Sequence, residues 1–202
     1  MQTNINIICS KITMNAEEYN IREILNTNIY IVEDVFNEKE CEDLIKFIEG
    51  HNKKRDKYLI DGYVFYLSQE NKKDEEIDYI IYKKIRKILS FMKKKNPYLS
   101  VTGDIQYHFR KMIGETELHV DEVRSSNIDY LLNKTRCMAI VFNLNDDYTG
   151  GEFNFPHQSI SVKLKRGEVL LFPPFWTHPH KVSSVSSPRY TITTWATEDI
   201  TM

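Results

Sequence analysis

The segment Arg136-Cys137-Met138-Ala139-Ile140-Val141-Phe142-Asn143-Leu144 is apolar at nearly every position. A run this short, rich in β-branched and aromatic residues, reads as a strand covered on both faces. Shorter strands surround it. Ile105, Tyr107 and Phe109 alternate with Gln106, His108 and Arg110; Ile160, Val162 and Leu164 alternate with Ser161, Lys163 and Lys165. Arg166-Gly167-Glu168 reads as a turn into a buried strand, Val169 to Phe172, and Arg189 to Trp195 is the last strand. Gly150-Gly151-Glu152-Phe153 follows the long apolar run where a tight turn between sheets is needed. Many short strands joined by turns predict a sandwich or jelly roll.

The first half of the chain is different. Asn37 with Glu40 forms a capping-box pattern; Cys41, Leu44, Ile45 and Ile48 follow at helical spacing, and Gly50 supplies a stop. A second helix is predicted from about Asp74 to Lys95, with Ile77, Ile81, Ile85, Ile88 and Met92 on one stripe. Ile29 to Val32 and a stretch within Tyr58 to Leu67 read as strands. The expectation is a mainly β, α+β domain: residues 1–100 form a strand-and-helix support region of the same domain, and residues 101–202 form the core. The polar stretch Glu122 to Thr135 is expected to be a lid or substrate-contact loop.

Composition narrows the classes. The chain has 202 residues, 41% hydrophobic and 28% charged, with a net charge of −2. That suits one folded domain and argues against a nucleic-acid binder, which carries a basic stripe. The short runs Lys53-Lys54-Arg55 and Lys93-Lys94-Lys95 read as solvated helix ends. Three cysteines, Cys9, Cys41 and Cys137, offer neither a disulfide framework nor a CxxC metal knuckle. The apolar run near Met1 to Ser10 is too short for a signal peptide or a membrane span, so a cytoplasmic protein is expected. The sequence carries no signal for oligomeric state.

The chemistry begins at His119-Val120-Asp121. On an extended strand, residues i and i+2 share a face, so this imidazole and carboxylate converge on one point. The third ligand comes from His157, His178 or His180. Two histidines and one carboxylate form the facial set that leaves three positions open on Fe(II). The pair alone is weak, because a strand-end ion pair gives the same spacing. Downstream, nine residues separate His180 from Arg189, across an expected turn at Ser186-Ser187-Pro188. An arginine placed there can pair bidentately with a carboxylate. Arg189, Thr191, Thr193 and Trp195 share a face that makes a poor core but a good cradle for a dicarboxylate, while Tyr190 and Ile192 point the other way to pack.

With these elements in order, the chain resembles the prolyl 4-hydroxylase-like 2-oxoglutarate/Fe(II) oxygenases. The resemblance rests on Tyr107, His119-Val120-Asp121, Asn145-Asp146-Asp147-Tyr148 running into Gly150-Gly151-Glu152-Phe153, Phe172-Pro173-Pro174, His180-Lys181-Val182 and Arg189-Tyr190-Thr191 through Trp195. The stretch Ile29 to Ile48 resembles the family's opening strand and helix. The resemblance implies a double-stranded β-helix, or jelly roll. It also implies Fe(II) on His119, Asp121 and His180, with 2-oxoglutarate as co-substrate, O2 as oxidant and L-ascorbate as a candidate reductant. Arg189 would pair with the distal carboxylate of 2-oxoglutarate, with Thr191 beside it; the Tyr107 hydroxyl would contact the co-substrate, and Trp195 would wall the pocket. His180 is preferred to His178 because it alone has the following x-Val and the nine-residue step to Arg189. Pro188 stands where the family commonly has glycine.

The implied activity is a dioxygenase hydroxylating an unactivated C–H bond, first a prolyl or other protein side chain, alternatively a free amino acid or small metabolite. Nucleic-acid demethylation is disfavoured: demethylase relatives carry an arginine six residues after the co-substrate arginine, where this chain has Trp195. Two other classes compete, a non-catalytic cupin-like metal- or ligand-binding module and a zinc hydrolase using the same triad, which leaves Arg189 without a task. Of the remaining candidates, His108 is expected to face away from Tyr107 as a surface or packing residue, His157 to be exposed, and His178 to be a supporting or entrance residue. Trp176 is expected in the core or at the rim, and Cys137 in the core.

Overall fold

The apolar run at 136–144 lies within β6 (Lys134–Asn143), an inner strand of an eight-stranded sheet. The computed structural model describes residues 19–51, 54–55, 59–66, 72–121 and 134–199. Eleven strands and two helices lie within them: β1 (Ile21–Glu23), β2 (Tyr30–Val32), α1 (Glu38–Gly50), β3 (Lys54–Arg55), β4 (Leu59–Phe65), α2 (Lys72–Lys95), β5 (Gly103–Thr116), β6, β7 (Phe153–Phe155), β8 (Ile160–Val162), β9 (Val169–Phe172), β10 (Lys181–Val182) and β11 (Val185–Asp199).

The larger sheet runs β1-β2-β9-β6-β11-β5-β4-β3, and a smaller one runs β10-β7-β8. All strand pairings are antiparallel. This is the jelly roll, with strands from before residue 100 at both ends of the larger sheet. Two apolar cores follow from the alternation of β6 and β11. Met138, Ile140, Phe142 and Ile192 pack toward the helices. Ala139, Val141 and Trp195 pack toward the smaller sheet. That double coverage is why β6 reads as continuously apolar.

The helices form where their patterns predict. The Asn37 side chain accepts from Glu40 N at 2.9 Å, and the Glu40 carboxylate accepts from Asn37 N at 2.8 Å, a complete capping box. Cys41, Leu44 and Ile48 are buried, with Phe47 added to the same face. Ile81, Ile85, Ile88 and Met92 bury the inner face of α2. At about 1.5–3 kcal/mol for each fully buried large aliphatic side chain, that stripe outweighs the weak helix propensity of its isoleucines.

Two features depart from the sequence expectation. Ser186 to Pro188 is not a turn but the irregular first part of β11, where the pairing with β5 slips between Val185 and Arg189. The chain instead runs on without reversal through Ser183-Ser184, staying antiparallel to residues 149–154 (Lys181 opposite Asn154, Val182 opposite Phe153, Val185 opposite Gly150) as it passes from β10 into β11. Gly150 bridges Val185 across this stretch with φ +74°, and a Cβ there would lie 1.8 Å from the Ser184 carbonyl oxygen, so only glycine fits. The second departure is a β-bulge in β5. Thr193 pairs with His108 but Trp195 pairs with Ile105, so β5 carries one extra residue. Ile105 therefore packs on the inter-sheet side, whereas Tyr107 and Phe109 face the helices. Of the expected lid, residues 122–133 lie outside the described residues, and Lys134 and Thr135 already belong to β6.

Candidate active site

The site lies between the sheets, where the chain leaves β5. His119 pairs with His180 as an isolated antiparallel bridge, with His119 N donating to His180 O at 3.0 Å and His180 N to His119 O at 2.8 Å. The segment carrying His119-Val120-Asp121 thus adds itself to the edge of the smaller sheet beside β10. The Val182 N–H donates to Thr116 Oγ1 at 2.7 Å, fastening the same two segments one step further along. Alternation then turns His119 and Asp121 inward and leaves Val120 exposed.

The three side chains meet. One ligand atom from each of His119, Asp121 and His180 lies within 4.8 Å of the others. Asp121 Oδ1 is 3.4 Å from His119 Nε2 and 3.9 Å from His180 Nε2. Backbone carbonyls set the tautomers. His119 Nδ1 donates to Glu117 O at 2.8 Å and His180 Nδ1 to His178 O at 3.2 Å, because a carbonyl can only accept. Each Nε2 is thereby left as a lone pair directed at the shared point. Asp121 Oδ2 accepts from Trp195 Nε1 at 3.0 Å, which leaves Oδ1 to face the imidazoles. Without a metal a proton can occupy His119 Nε2 instead: burial lowers the pKa of His119, but Asp121 raises it overall. Burial opposes ionisation of Asp121, but a hydrogen bond from protonated His119, imidazolium charge and the Trp195 N–H outweigh it and hold the carboxyl well below the usual range. For His180 burial dominates and pushes the pKa down, toward the neutral imidazole a metal needs.

A cleft opens over these atoms, and Arg189, Thr191 and Thr193 line it together with the three candidate ligands. Arg189 is 2% exposed. Its Nε donates to Asn143 Oδ1 at 2.9 Å, and its guanidinium carbon lies 4.8 Å from the Phe153 ring centre and 5.9 Å from that of Tyr148. Its Nη2 is buried without a hydrogen-bond partner. Burial pushes its pKa down. A sealed guanidinium with an orphaned donor facing a cleft is costly unless an anion completes it. A dicarboxylate chelating a metal at one end and meeting Arg189 at the other satisfies that demand, so the donor set and the orphaned donor fit both groups.

Tyr107 does not take part. Its hydroxyl donates to Asp104 Oδ2 at 2.7 Å and its ring packs in the helix-side core. The β5 residues that line the cleft are Arg110, Met112 and Thr116, and Met112 packs in the inter-sheet core, opposite Tyr107. His108, on that same face, packs edge-on against Trp195 with ring centres 4.8 Å apart. His178 is a clamp rather than a ligand: its Nε2 bonds Thr27 O at 2.8 Å, tying the chain before β2 to the site, while its carbonyl orients His180. His157 is exposed and Cys137 is buried. Trp176 is 66% exposed, which removes it from the core. Sequence reasoning passes over Asn143, although it stands as a polar residue inside the apolar stretch Met138 to Leu144.

A family profile described as the 2OG-Fe(II) oxygenase superfamily matches residues 105–197, the span from β5 to β11 that builds the cleft. Over that stretch the chain is similar to the 2OG-Fe(II) oxygenases. Solved structures share its fold. A prolyl hydroxylase from Trichoplax adhaerens, in complex with a hypoxia inducible factor oxygen degradation domain peptide, aligns over 85% of this chain and 84% of its own, with a TM-score of 0.67 and 15% identity. The viral collagen prolyl hydroxylase of Paramecium Bursaria Chlorella virus-1, in its 2OG complex, aligns over 86% of this chain and 97% of its own, with a TM-score of 0.62 and 15% identity. A Pseudomonas putida prolyl-4-hydroxylase aligns over 86% and 94%, with a TM-score of 0.64 and 13% identity. No curated protein sequence matches the chain significantly. The profile's description names Fe(II) and 2-oxoglutarate, the two groups that the His119, Asp121 and His180 donor set and the Arg189 donor fit. Among the described residues, no helix is long and apolar enough to cross a membrane.

Proposed function

We propose that this chain is an oxygenase that hydroxylates an unactivated C–H bond of a peptide, with a prolyl side chain as first candidate, holding Fe(II) on His119 Nε2, Asp121 Oδ1 and His180 Nε2. The carrying observation is the buried, unpartnered Nη2 of Arg189 in the cleft that the three ligand residues line. A zinc hydrolase or a bare metal-binding module gives that donor nothing to do; the distal carboxylate of 2-oxoglutarate gives it a partner.

When bound, Fe(II) with 2-oxoglutarate and O2 supplies the oxidising chemistry that turns C–H into C–OH and releases succinate and CO2. The chain's own residues prepare the site. The carbonyls of Glu117 and His178 lock both imidazole tautomers. Trp195 occupies one carboxylate oxygen of Asp121, so that residue would offer a metal a single ligand atom and, with the two imidazoles, would leave room for the co-substrate and O2. Asn143 fixes the Arg189 fork, and the Tyr148 hydroxyl steadies Asn143 Oδ1 from the other side at 3.0 Å. Met112, Val141, Phe153 and Val182 wall the cleft with apolar surface, excluding water and strengthening the arginine–carboxylate pair. Leu118 and Val120, exposed on either side of His119, give a peptide an apolar rim.

The test is anaerobic addition of Fe(II) and 2-oxoglutarate, followed by aerobic succinate release against proline-containing peptides, free amino acids and methylated oligonucleotides. The expected result is a weak visible charge-transfer band, with succinate formation stimulated by the peptides and one oxygen gained at proline. Stimulation by a free amino acid alone would make this a small-molecule hydroxylase. No band from folded protein would reduce it to a binding module.

A further inference from the structure

We infer that Arg136 is a positioning residue, holding Asp121 and Trp195 as one unit so that Asp121 offers a single carboxylate oxygen to the metal. The inference rests on the metal assignment proposed above. Arg136 reaches the site from β6 in two ways. Its Nη1 donates to the Asp121 carbonyl oxygen at 3.0 Å. Its guanidinium carbon lies 3.8 Å from the Trp195 ring centre, face-on stacking distance. The indole beneath donates through Nε1 to Asp121 Oδ2 at 3.0 Å. The three residues close a ring of contacts: Arg136 to the Asp121 backbone, Arg136 to the Trp195 face, and the Trp195 edge to the Asp121 side chain.

A local device in the sheet aims Arg136. In the pairing of β11 with β6, Ala196 faces Met138 but Thr197 faces Arg136, so Cys137 is an extra residue on β6. Strict alternation would put Cys137 on the face of Ala139 and Val141, toward the smaller sheet. The bulge instead buries Cys137 in the helix-side core and brings Arg136 round to Trp195. His108 packs on Trp195 as well, at 4.8 Å, so the indole is held by more than one neighbour and has little freedom to tilt. Without the cation on its face, the indole is freer to rotate, and Asp121 Oδ2 loses a fixed donor. The carboxylate can then swing to present both oxygens, filling a coordination position that the co-substrate or O2 requires.

The experiment compares the wild type with Arg136→Met, which keeps the hydrocarbon stem and removes the charge, and with Arg136→Lys. In metal-free protein, ¹⁵N spectra resolve the two indole N–H groups, and exposed Trp176 serves as internal reference. The Trp195 signal should shift and exchange faster with solvent in Arg136→Met, while the Trp176 signal stays. Co(II) titration should show affinity weakened by about 10–100-fold and a visible spectrum altered toward higher coordination number. Arg136→Lys keeps a donor for the Asp121 carbonyl but not the flat stack, and should fall between. If Arg136→Met does not fold, Arg136→Lys decides alone by the same two readouts. Trp195→Phe should reproduce the Co(II) changes, and adding Arg136→Met to it should change them little further. A folded Arg136 variant with wild-type Co(II) affinity, spectrum and Trp195 signal overturns the inference, as do fully additive effects with Trp195→Phe. If wild-type protein takes up no Co(II), the metal assignment has failed instead, and the Trp195 signal still reports whether Arg136 holds the indole.

Discussion

Replacing Arg189 with methionine should make the protein without co-substrate more stable while abolishing its response to 2-oxoglutarate. Arg189 is fully buried with an unpaired Nη2. Relieving an unsatisfied buried polar donor is worth about 1–3 kcal/mol, more for a charged group. Against this stand the losses. The Nε bond to Asn143 disappears, but Asn143 Oδ1 keeps its bond from the Tyr148 hydroxyl, so no new orphan is created. The stacking on Phe153 and Tyr148, worth about 1 kcal/mol, is partly replaced by thioether–aromatic contact. The net expectation is a gain of about 1–2 kcal/mol, or roughly 2–8 °C in Tm for a chain of this size. Thermal unfolding with and without Fe(II) and 2-oxoglutarate reads both halves. Wild type should rise in Tm with saturating ligand, by roughly 3 kcal/mol of stabilisation at a hundredfold excess over Kd, and Arg189→Met should not. A large fall in Tm for the metal-free variant would mean the guanidinium is structurally satisfied, and the argument from its orphaned donor would be wrong.

Tyr107→Phe should leave 2-oxoglutarate affinity unchanged and cost about 1 kcal/mol of stability, because the hydroxyl serves Asp104 on the helix side; a tenfold loss of affinity in calorimetry would return Tyr107 to the pocket. Gly150→Ala should cost several kcal/mol, since its Cβ would meet the Ser184 carbonyl at 1.8 Å; a variant with wild-type Tm would contradict the close approach of Gly150 to the Ser184 backbone. Burial, then the charges of Arg110 and Arg136, push the pKa of His108 down to about 3, with Asp121 opposing. The folded protein therefore keeps this imidazole neutral where the unfolded chain protonates it, so stability is full above pH about 6.5 and declines as pH falls toward 3. His108→Gln should flatten that decline by up to about 2 kcal/mol between pH 6.5 and 5, read by urea unfolding; parallel acid limbs for the two proteins would refute it.

His119 and Asp121 are visible in the sequence for a local reason: an i, i+2 pair on extended backbone needs no knowledge of the fold to converge; His180 and Arg189, far along the chain, are singled out only by the family resemblance. Helix boundaries are equally legible, because capping residues and the isoleucine stripe of α2 act over one or two turns. Failures come where an extra residue shifts a strand's phase. The alternation Ile105, Tyr107, Phe109 suggests a single face, but the β5 bulge splits it, sending Ile105 toward the smaller sheet and Tyr107 toward the helices. The Cys137 bulge likewise hides Arg136, which reads in sequence as the flank of an apolar strand. Bulges depend on the partner strand's register, which a single sequence does not display. Pro188 reads as a turn residue and lies instead within β11, at the irregular stretch where its missing N–H is tolerated. Its carbonyl accepts from Asn145 Nδ2 at 2.9 Å, a contact between residues 43 apart in the chain.

Iron-edge anomalous diffraction from anaerobic crystals containing Fe(II) and 2-oxoglutarate tests the site most directly. One anomalous peak per chain is expected, bonded to His119 Nε2, a single oxygen of Asp121 and His180 Nε2, with a carboxylate of the co-substrate against Arg189 Nη2. A peak elsewhere, or a co-substrate carboxylate that leaves Arg189 without a partner, would contradict that assignment.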